Sequence, residues 1–591
     1  MRPVHLLFAA VASTTIGFAQ APPPPANPPA RISASVRVPA WRQLRTAVGS
    51  LLGWQVGVSL GSFRQDTFFE AARKAEALDL AAVEGDSTQK VSVQIPKNLD
   101  YKLAPGEIEG VRERMASLSL RMPVYVTPAI GEDDQTARKV FEFVKGLGVE
   151  TLAVERTPHA LAMLEKLADE YGINVAFLGS PKALAESLQG RSRRLGVYAD
   201  LGQWMQEGIA PADGILLVKD RLLVLRLSDR NALGKSGHTV SLGSGVAGIA
   251  ALVAGMYTRE AKPSLITVDT TGGPDVTADL LRSLQGFEDA VRPVVAGRVM
   301  ELSRGIPIKG PDRLSPEDRE KVAAATPRKP AATPKASRRL LVYDANIGYG
   351  GATGGHRSIP AANMAIEQFA KATGAYEAVF SNDLENFKYD RIKKFDAVFL
   401  NNTVGQIFVD PEVRMGLSRF VREGGGLAGY HGTSHASMDW PEFAEMLGAV
   451  EGAHREPTEM ATVKIDDPSS PLVAAFEGRS FVHQDEFYRF PEPPLSRSTV
   501  RVLMSIDMDK TDLNQGRGCA RPCVRQDGDY ALSWIRSYGK GRVFFTALGH
   551  TPAFFSVPAL SDFFFRGIQF VLGDLEADTT PSAKVQATGR R

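Results

Sequence analysis

The stretch Gly424-Gly-Gly-Leu-Ala-Gly-Tyr-His431-Gly-Thr-Ser-His435 is a short apolar run entered through glycines and left through a turn flanked by two histidines. Read as a β-strand and its following turn, it puts His431 and His435 at a strand's carboxyl end, where open α/β sheets bind their ligands. Working outward, similar runs are Leu340-Leu-Val-Tyr, Ala378-Val-Phe, Ala397-Val-Phe-Leu and Val543-Phe-Phe-Thr. Helical patterns over 360–373 and 411–423 alternate with them. This alternation predicts an open parallel sheet with helices on both faces, its ligand end near Asn346, Asn401, His431 and His550.

The first half of the chain repeats the β-α pattern more often. Its apolar runs begin at Trp54, Leu80, Val124, Thr151, Asn174, Leu195, Leu222 and Leu265. Eight such runs in about 270 residues fit a (β/α)8 barrel, whose usual size is about 250. Several runs end on an acid: Glu84, Glu155, Asp200 and Asp269. Any one of these can merely cap the next helix. Four on one rim point to a site, because barrel active sites are built at the C-terminal face.

A length of 591 residues exceeds what a single core supports, so two domains are expected. Hydrophobic residues at 43% and charged residues at 23% are those of a globular protein. The net charge of +2 offers no electrostatic reason for a nucleic-acid or anionic-membrane partner. No membrane span is expected, and nothing fixes the oligomeric state. Arg2 and His5, the apolar run Leu6 to Val11 and the small-residue pattern Ala19-Gln20-Ala21 read as an export signal over 1–21, which predicts a periplasmic or secreted protein. A proline-rich segment follows over 22–39, then the barrel over 40–312. An Ala/Pro/Lys linker is expected over 313–338, the second α/β domain over 339–575 and a disordered tail over 576–591. Two cysteines occur, Cys519 and Cys523 in one Gly/Pro loop, and read either as a local disulfide or as part of a metal site.

Six of nine histidines fall in the second α/β domain: His356, His431, His435, His454, His483 and His550. Histidine titrates near neutrality and is the commonest metal ligand, and these sit where loops should open over strand ends. His431, His435 and Glu486 are candidates for base and acid. His454, His483 and His550 are candidates for a divalent metal (Zn, Mn or Mg), with His356, Asn401 and Tyr488 for substrate.

Two family resemblances add to this. Gly424 to Gly432, His483-Gln-Asp-Glu486-Phe-Tyr488 and Tyr538-Gly-Lys-Gly-Arg-Val-Phe-Phe-Thr-Ala-Leu-Gly-His550 resemble, in order, the trehalose-utilisation (ThuA-like) family. That family is a branch of the class I glutamine-amidotransferase fold, a flavodoxin-like sheet. Glutaminases of this fold carry a cysteine on the turn after the central strand. His431 stands there instead, so the covalent route to glutamine hydrolysis is closed. In the first half, Glu155, Gly196-Val-Tyr-Ala-Asp200-Leu-Gly-Gln203-Trp, Leu227-Ser-Asp229-Arg and Gly237 to Gly245 resemble the xylose-isomerase-like sugar-phosphate isomerase/epimerase barrel.

Those barrels hold a divalent metal with Glu, Asp, His and Glu. Matching gives Glu155 and Asp200 as ligands and Asp269 at the final position. Arg226 replaces the ligand His, and Gln203 replaces the His that commonly follows the Asp. A guanidinium offers no lone pair, so Arg226 is expected to neutralise Glu155 and Asp200 instead. Glu84, Arg226 and Gln203 then remain to line a sugar-shaped pocket. Together the resemblances imply a small-molecule sugar or glycoside as ligand, including sugars oxidised to ketones. Two functions stay open: a lyase, hydrolase or isomerase working by acid/base or metal-assisted chemistry, and a non-catalytic carbohydrate-binding protein whose ancestral sites have decayed.

Overall fold

The computed structural model describes residues 48–588, except 129, 131–132, 156–159, 271–274, 349–354, 451, 513–524 and 526. The expected leader, the proline-rich segment and the Cys519/Cys523 pair lie outside the described residues. Each of the eight apolar runs in the first half becomes a strand. They are β1 (Val56–Ser59), β2 (Ala82–Asp86), β3 (Arg121–Thr127), β4 (Thr151–Glu155), β5 (Asn174–Leu178), β6 (Leu195–Asp200) and β7 (Leu222–Leu227). A two-stranded ribbon, β8 (Asp229–Arg230) and β9 (Thr239–Val240), precedes the eighth barrel strand, β10 (Leu265–Val268). The barrel closes in the order β1-β10-β7-β6-β5-β4-β3-β2. One inward layer consists of Ala82, Val124, Ala153, Ala176, Tyr198, Val224 and Leu265. Three alanines leave room for the Tyr198 ring, whose hydroxyl reaches up to donate to Glu84 at 2.6 Å.

The second sheet is built from β11 (Arg339–Tyr343), β12 (Glu377–Phe380), β13 (Ala397–Leu400), β14 (Gly426–Tyr430), β15 (Glu459–Ile465), β16 (Phe481–Asp485), β17 (Arg501–Ile506), β18 (Ala531–Tyr538) and β19 (Gly541–Thr546). Its order is β12-β11-β13-β14-β19-β18-β17-β15-β16. The five strands from β12 to β19 are parallel, as expected. From β19 to β16 the sheet continues antiparallel, which the sequence reading missed. The reason is local: Gly539-Lys540 is a two-residue hairpin loop between β18 and β19, and such a loop joins only antiparallel strands. The helix Pro558–Leu572 packs on β14 and β19, holding the central strand from behind.

Two boundaries differ from expectation. The linker is not a free spacer. It forms the helix Pro316–Ala324, then lies along the end of the helix Pro558–Leu572, with the Ala331 and Ala332 amides donating to Gln569 and the Lys335 amide to Asp574. The tail is ordered through the helix Ser582–Thr588, because Ser582 hydrogen-bonds the backbone of Val500 and Val502. The barrel's last helix, Val276–Gly305, also reaches the second sheet: Ser303 donates to the Asn382 carbonyl at 2.6 Å and meets the Tyr343 hydroxyl. Beyond it, the Lys309 amide and Nζ are both bound by Asp344, which also accepts from Asn363 and Asn382.

Candidate functional site

At the end of β14 the chain turns at His431 with φ of 44°. This left-handed conformation is costly for a residue with a Cβ, and the surroundings enforce it. Gly432 donates its amide to Asn402 Oδ1 at 2.7 Å, and Asn402 is held in turn by Ser358. Only glycine fits after His431: a Cβ on Gly432 would lie 2.3 Å from Asn402 Oδ1 and 2.9 Å from the His356 ring.

His431 is fully buried. Its Nδ1 lies 2.8 Å from the Ala547 carbonyl, which fixes Nδ1 as the protonated nitrogen and leaves a lone pair on Nε2. Around Nε2 are the His550 Nδ1 at 3.0 Å, the Glu486 Oε2 at 3.2 Å and the Tyr488 hydroxyl at 3.1 Å. His550 Nδ1 is itself 3.2 Å from Glu486 Oε2. The His356 ring stands edge-on to both, with centroids 4.8 and 5.0 Å away. Ligand atoms of His356, His431, Glu486 and His550 all lie within 4.8 Å of one another.

Burial opposes the charge on Glu486, but the neighbouring imidazoles of His431, His454 and His550 outweigh it and hold the carboxyl below its usual range. Burial and the neighbouring His431 and His550 push His356 down to about 2, so it presents a neutral imidazole. The third element of the group, His550, is set by Asp485. That carboxylate accepts from the amides of Gly549 at 2.7 Å, His550 at 3.0 Å and Glu486 at 2.9 Å. Burial raises its proton affinity, yet His483, His431 and these amides bring it below the ordinary Asp value.

The other candidates from the sequence distribute around this group. Tyr488 stacks on His431 at 4.5 Å and also touches the rings of His435 and His454. His454 stands outside the four-residue group, partly exposed, with Nδ1 3.1 Å from Glu486 Oε1. This carboxylate raises its pKa. His435 is pushed down to about 4, chiefly by burial. His483 is not in the group either: it faces the back of Asp485 at 3.4 Å, so its expected ligand role is corrected to support. Asn401 is also corrected, since it is fully buried with its amide donating to Ile359 and Asn363 beneath the sheet end. His356 moves from substrate to candidate ligand. Asn402, Ser358 and Asp485 were missed. Only Asp485 left a signal, in the His483-Gln-Asp-Glu486 motif, since the other two act through backbone turns.

In the barrel, Arg226 is central. It pairs with Glu84, with Asp200 at 3.3 Å and with Asp269 at 4.0 Å, and its guanidinium lies over the Tyr198 ring at 5.1 Å. Glu84 also accepts from Ser59 at 2.9 Å and Thr267 at 3.2 Å. The expected pairing of Arg226 with Glu155 is thus replaced by one with Glu84. Of the expected Glu155, Asp200 and Asp269 metal set, Asp200 and Asp269 face the Arg226 guanidinium while Glu155 stands exposed at the end of β4. Gln203 is corrected too: its amide caps onto Asp200 and its side chain turns along the helix to Glu207.

A family profile described as trehalose utilisation (ThuA) matches residues 340–571. No curated protein matches the chain. Among solved structures, an uncharacterised protein from Parabacteroides distasonis is 23% identical, covering 40% of this chain and 97% of its own, with a TM-score of 0.34. A ThuA-like protein from Bacteroides uniformis is 19% identical, covering 42% and 96%, with a TM-score of 0.34. A sugar phosphate isomerase/epimerase from Parabacteroides distasonis is 12% identical, covering 40% and 94%, with a TM-score of 0.31.

Proposed function

Taking residues 340–571 as a ThuA-like domain joined to an eight-stranded parallel barrel, we propose that this chain is a carbohydrate-active enzyme. In this reading the C-terminal domain holds a divalent cation on His356, His431, Glu486 and His550, and acts there on an oxidised (keto) sugar or glycoside. The supporting observation is the convergence of four ligand atoms within 4.8 Å, with Nδ1 of His431 already committed to a carbonyl. Of zinc, manganese and magnesium, three imidazoles with one carboxylate favour zinc. When bound, such an ion supplies a Lewis acid for a carbonyl or hydroxyl oxygen.

The remaining work falls to the residues around Tyr488. A ketone acidifies the neighbouring C–H, so removal of that proton can expel a glycosidic oxygen. His454 and His435 flank Tyr488, and their environments pull them apart: Glu486 favours the proton on His454, while burial strips it from His435. Two such groups with opposed shifts fit an acid and a base, His454 giving a proton to the leaving oxygen and His435 accepting one. The Tyr488 hydroxyl donates at the centre. Glutamine hydrolysis is not part of this reading, since the turn carries His431 and no thiolate.

Elemental analysis of the purified full chain, beside turnover of a 3-keto-glycoside, tests it. The expectation is about one ion per chain, lost with His431→Ala, and a fall in turnover of about 100-fold with Glu486→Gln. Unchanged turnover and unchanged metal in both variants would overturn it. Export belongs to the same proposal and rests on residues 1–21; the N-terminal residue of protein recovered outside the cytoplasm checks it. No helix of the described residues is long and apolar enough to cross a membrane.

A further inference from the structure

The chain that leaves the barrel does more than join two domains, because it builds one wall of a cavity beside the histidine group. The cavity measures about 240 Å³ and lies between Lys309, Arg313, Ser315 and Asp318 on one side and His356 and Arg357 of the sheet domain on the other. His356 is itself one of the four candidate ligands. The volume falls below the ~300–1,000 Å³ usual for a whole ligand, so it suits one end of a molecule whose remainder lies against the histidines.

The lining is electrostatically one-sided. Lys309, Arg313 and Arg357 are cations and Asp318 is the one anion among the lining residues. Asp318 is tied to its own helix start, accepting from Ser315 Oγ at 2.8 Å while its amide donates back to that oxygen at 3.0 Å. Lys309, 4% exposed, has Nζ 2.8 Å from the Asp344 carbonyl and 3.7 Å from the Asp344 carboxylate. Setting Asp344 against Lys309 and Asp318 against one arginine still leaves one positive charge. Residues 349–354, which precede His356 in the chain, read Tyr-Gly-Gly-Ala-Thr-Gly and add no charge to this count.

The two arginines are the uncommitted groups. Both are exposed, and among the described residues neither side chain makes a hydrogen bond or ion pair. Arg313 is close enough to Lys309 to add to the lowering of its pKa that burial causes and Asp344 opposes. An entering oxyanion relieves that repulsion and can take paired N–H bonds from a guanidinium, whereas a cation or an apolar group gains neither. We propose that this cavity is an oxyanion subsite, and that the ligand of the histidine group is an acidic sugar whose carboxylate or phosphate is bound by Arg313 and Arg357. The placing of the sugar itself rests on the proposed function above; the oxyanion site does not depend on a bound ion.

Calorimetric titration of the full chain, with zinc added, tests this using methyl β-D-glucoside, methyl β-D-glucuronide and methyl β-D-glucoside 6-phosphate. At least one of the two acids should bind about tenfold more tightly than the neutral glycoside, and whichever leads tells carboxylate from phosphate. Arg313→Ala and Arg357→Ala change exposed side chains, so each should melt like the parent. Each should also cut the advantage of the acid about threefold while leaving the affinity for the neutral glycoside unchanged. Equal binding of neutral and acidic glycosides, binding of neither acid, or an advantage left intact in both arginine variants would overturn the proposal. His431→Ala and Glu486→Gln keep the two claims apart. If these leave metal content and keto-glycoside turnover unchanged while the arginine variants lose the preference for acid, the proposed function fails and the subsite stands. If they abolish metal binding and turnover while both arginine variants keep the preference, the subsite alone fails.

Discussion

Asp485→Asn is the sharpest test of how the C-terminal group is held. One carboxylate oxygen accepts the amides of Glu486 and His550 and the other accepts Gly549. An asparagine keeps the shape but turns one oxygen into a donor, so at least one buried N–H faces another donor in either amide orientation. Each such unsatisfied donor costs about 1–3 kcal/mol, which should appear as a lower melting temperature in the metal-free protein. The same clash shifts the backbone at Gly549 and His550, and so displaces a candidate ligand. Loss of such a supporting contact typically weakens metal binding about 10–100-fold. At a free-metal concentration 100 times the parent Kd, the ion stabilises the parent by about 2.7 kcal/mol. A tenfold weaker variant keeps about 1.4 kcal/mol of that, and a 100-fold weaker one about 0.4 kcal/mol. Melting curves with and without zinc, beside a direct zinc titration, read both effects. If Asp485→Asn melts lower without metal yet binds zinc with unchanged affinity, Asp485 props the loop only and the positioning argument fails.

Three further outcomes are expected. Asp344→Ala removes the counter-charge of Lys309, which is 4% exposed, together with the acceptor of Asn363 and Asn382, and should cost about 3–5 kcal/mol in urea denaturation; a loss below about 1 kcal/mol would deny that this residue welds the connector to the sheet. Asp269 is held above the ordinary value of 3.8, chiefly by burial, so it contributes stability at low pH that is lost as pH rises through its folded pKa. Asp269→Asn should therefore melt no lower than the parent at pH 7, with the difference closing as pH falls below the ordinary Asp range; a variant that loses more stability relative to the parent at pH 7 than at pH 3 would contradict that sign. Gly432→Ala drives a Cβ against Asn402 and the His356 ring, and should weaken zinc binding about tenfold or more in the same titration.

What the sequence made legible follows from what its patterns encode. The eight barrel strands and the five parallel strands were readable because each is a bounded apolar run in a repeated βα alternation. The outer part of the antiparallel wing was not, since β15 and the edge strand β16 read Glu-Met-Ala-Thr-Val-Lys-Ile and Phe-Val-His-Gln-Asp, half-polar runs with no bounded apolar stretch. The ordered linker escaped for another reason. Its Ala/Pro/Lys composition lacks a core, but Gln569 and Asp574, some 240 residues away, supply the hydrogen bonds that fix it. At the site, strand ends marked His431 and His550 and a motif marked Glu486. The partition of the histidines into ligands, flanking acid/base groups and support was not legible, because it depends on loop directions over β16 and β19. Arg226 was recognised as a substitution, but its partner was misassigned. Register along a strand says which residues face the barrel axis, not which of several rim acids lies nearest the guanidinium.

The two rims answer one electrostatic problem in opposite ways. In the barrel the positive charge is covalent: Arg226 satisfies Glu84 permanently, and nothing about the site requires an ion. At the sheet end Glu486 is held as a carboxylate among imidazoles, His356 neutral and His454 favoured in its protonated form, so its positive partners are titratable rather than permanent. The backbone argues the same point. His431 sits at a φ that costs a non-glycine residue about 1–2 kcal/mol, while glycine would sit there without that cost. A histidine is retained at a strained position only where its side chain returns more than the strain. Its Nδ1 is fixed by Ala547 and its Nε2 aims at Glu486 and His550. Metal-free, His431 Nε2 and His550 Nδ1 lie at hydrogen-bond distance, 3.0 Å. If, as proposed, the group holds a cation, the strain at His431 pre-organises it, and zinc should raise the melting temperature of the parent more than that of His431→Gly.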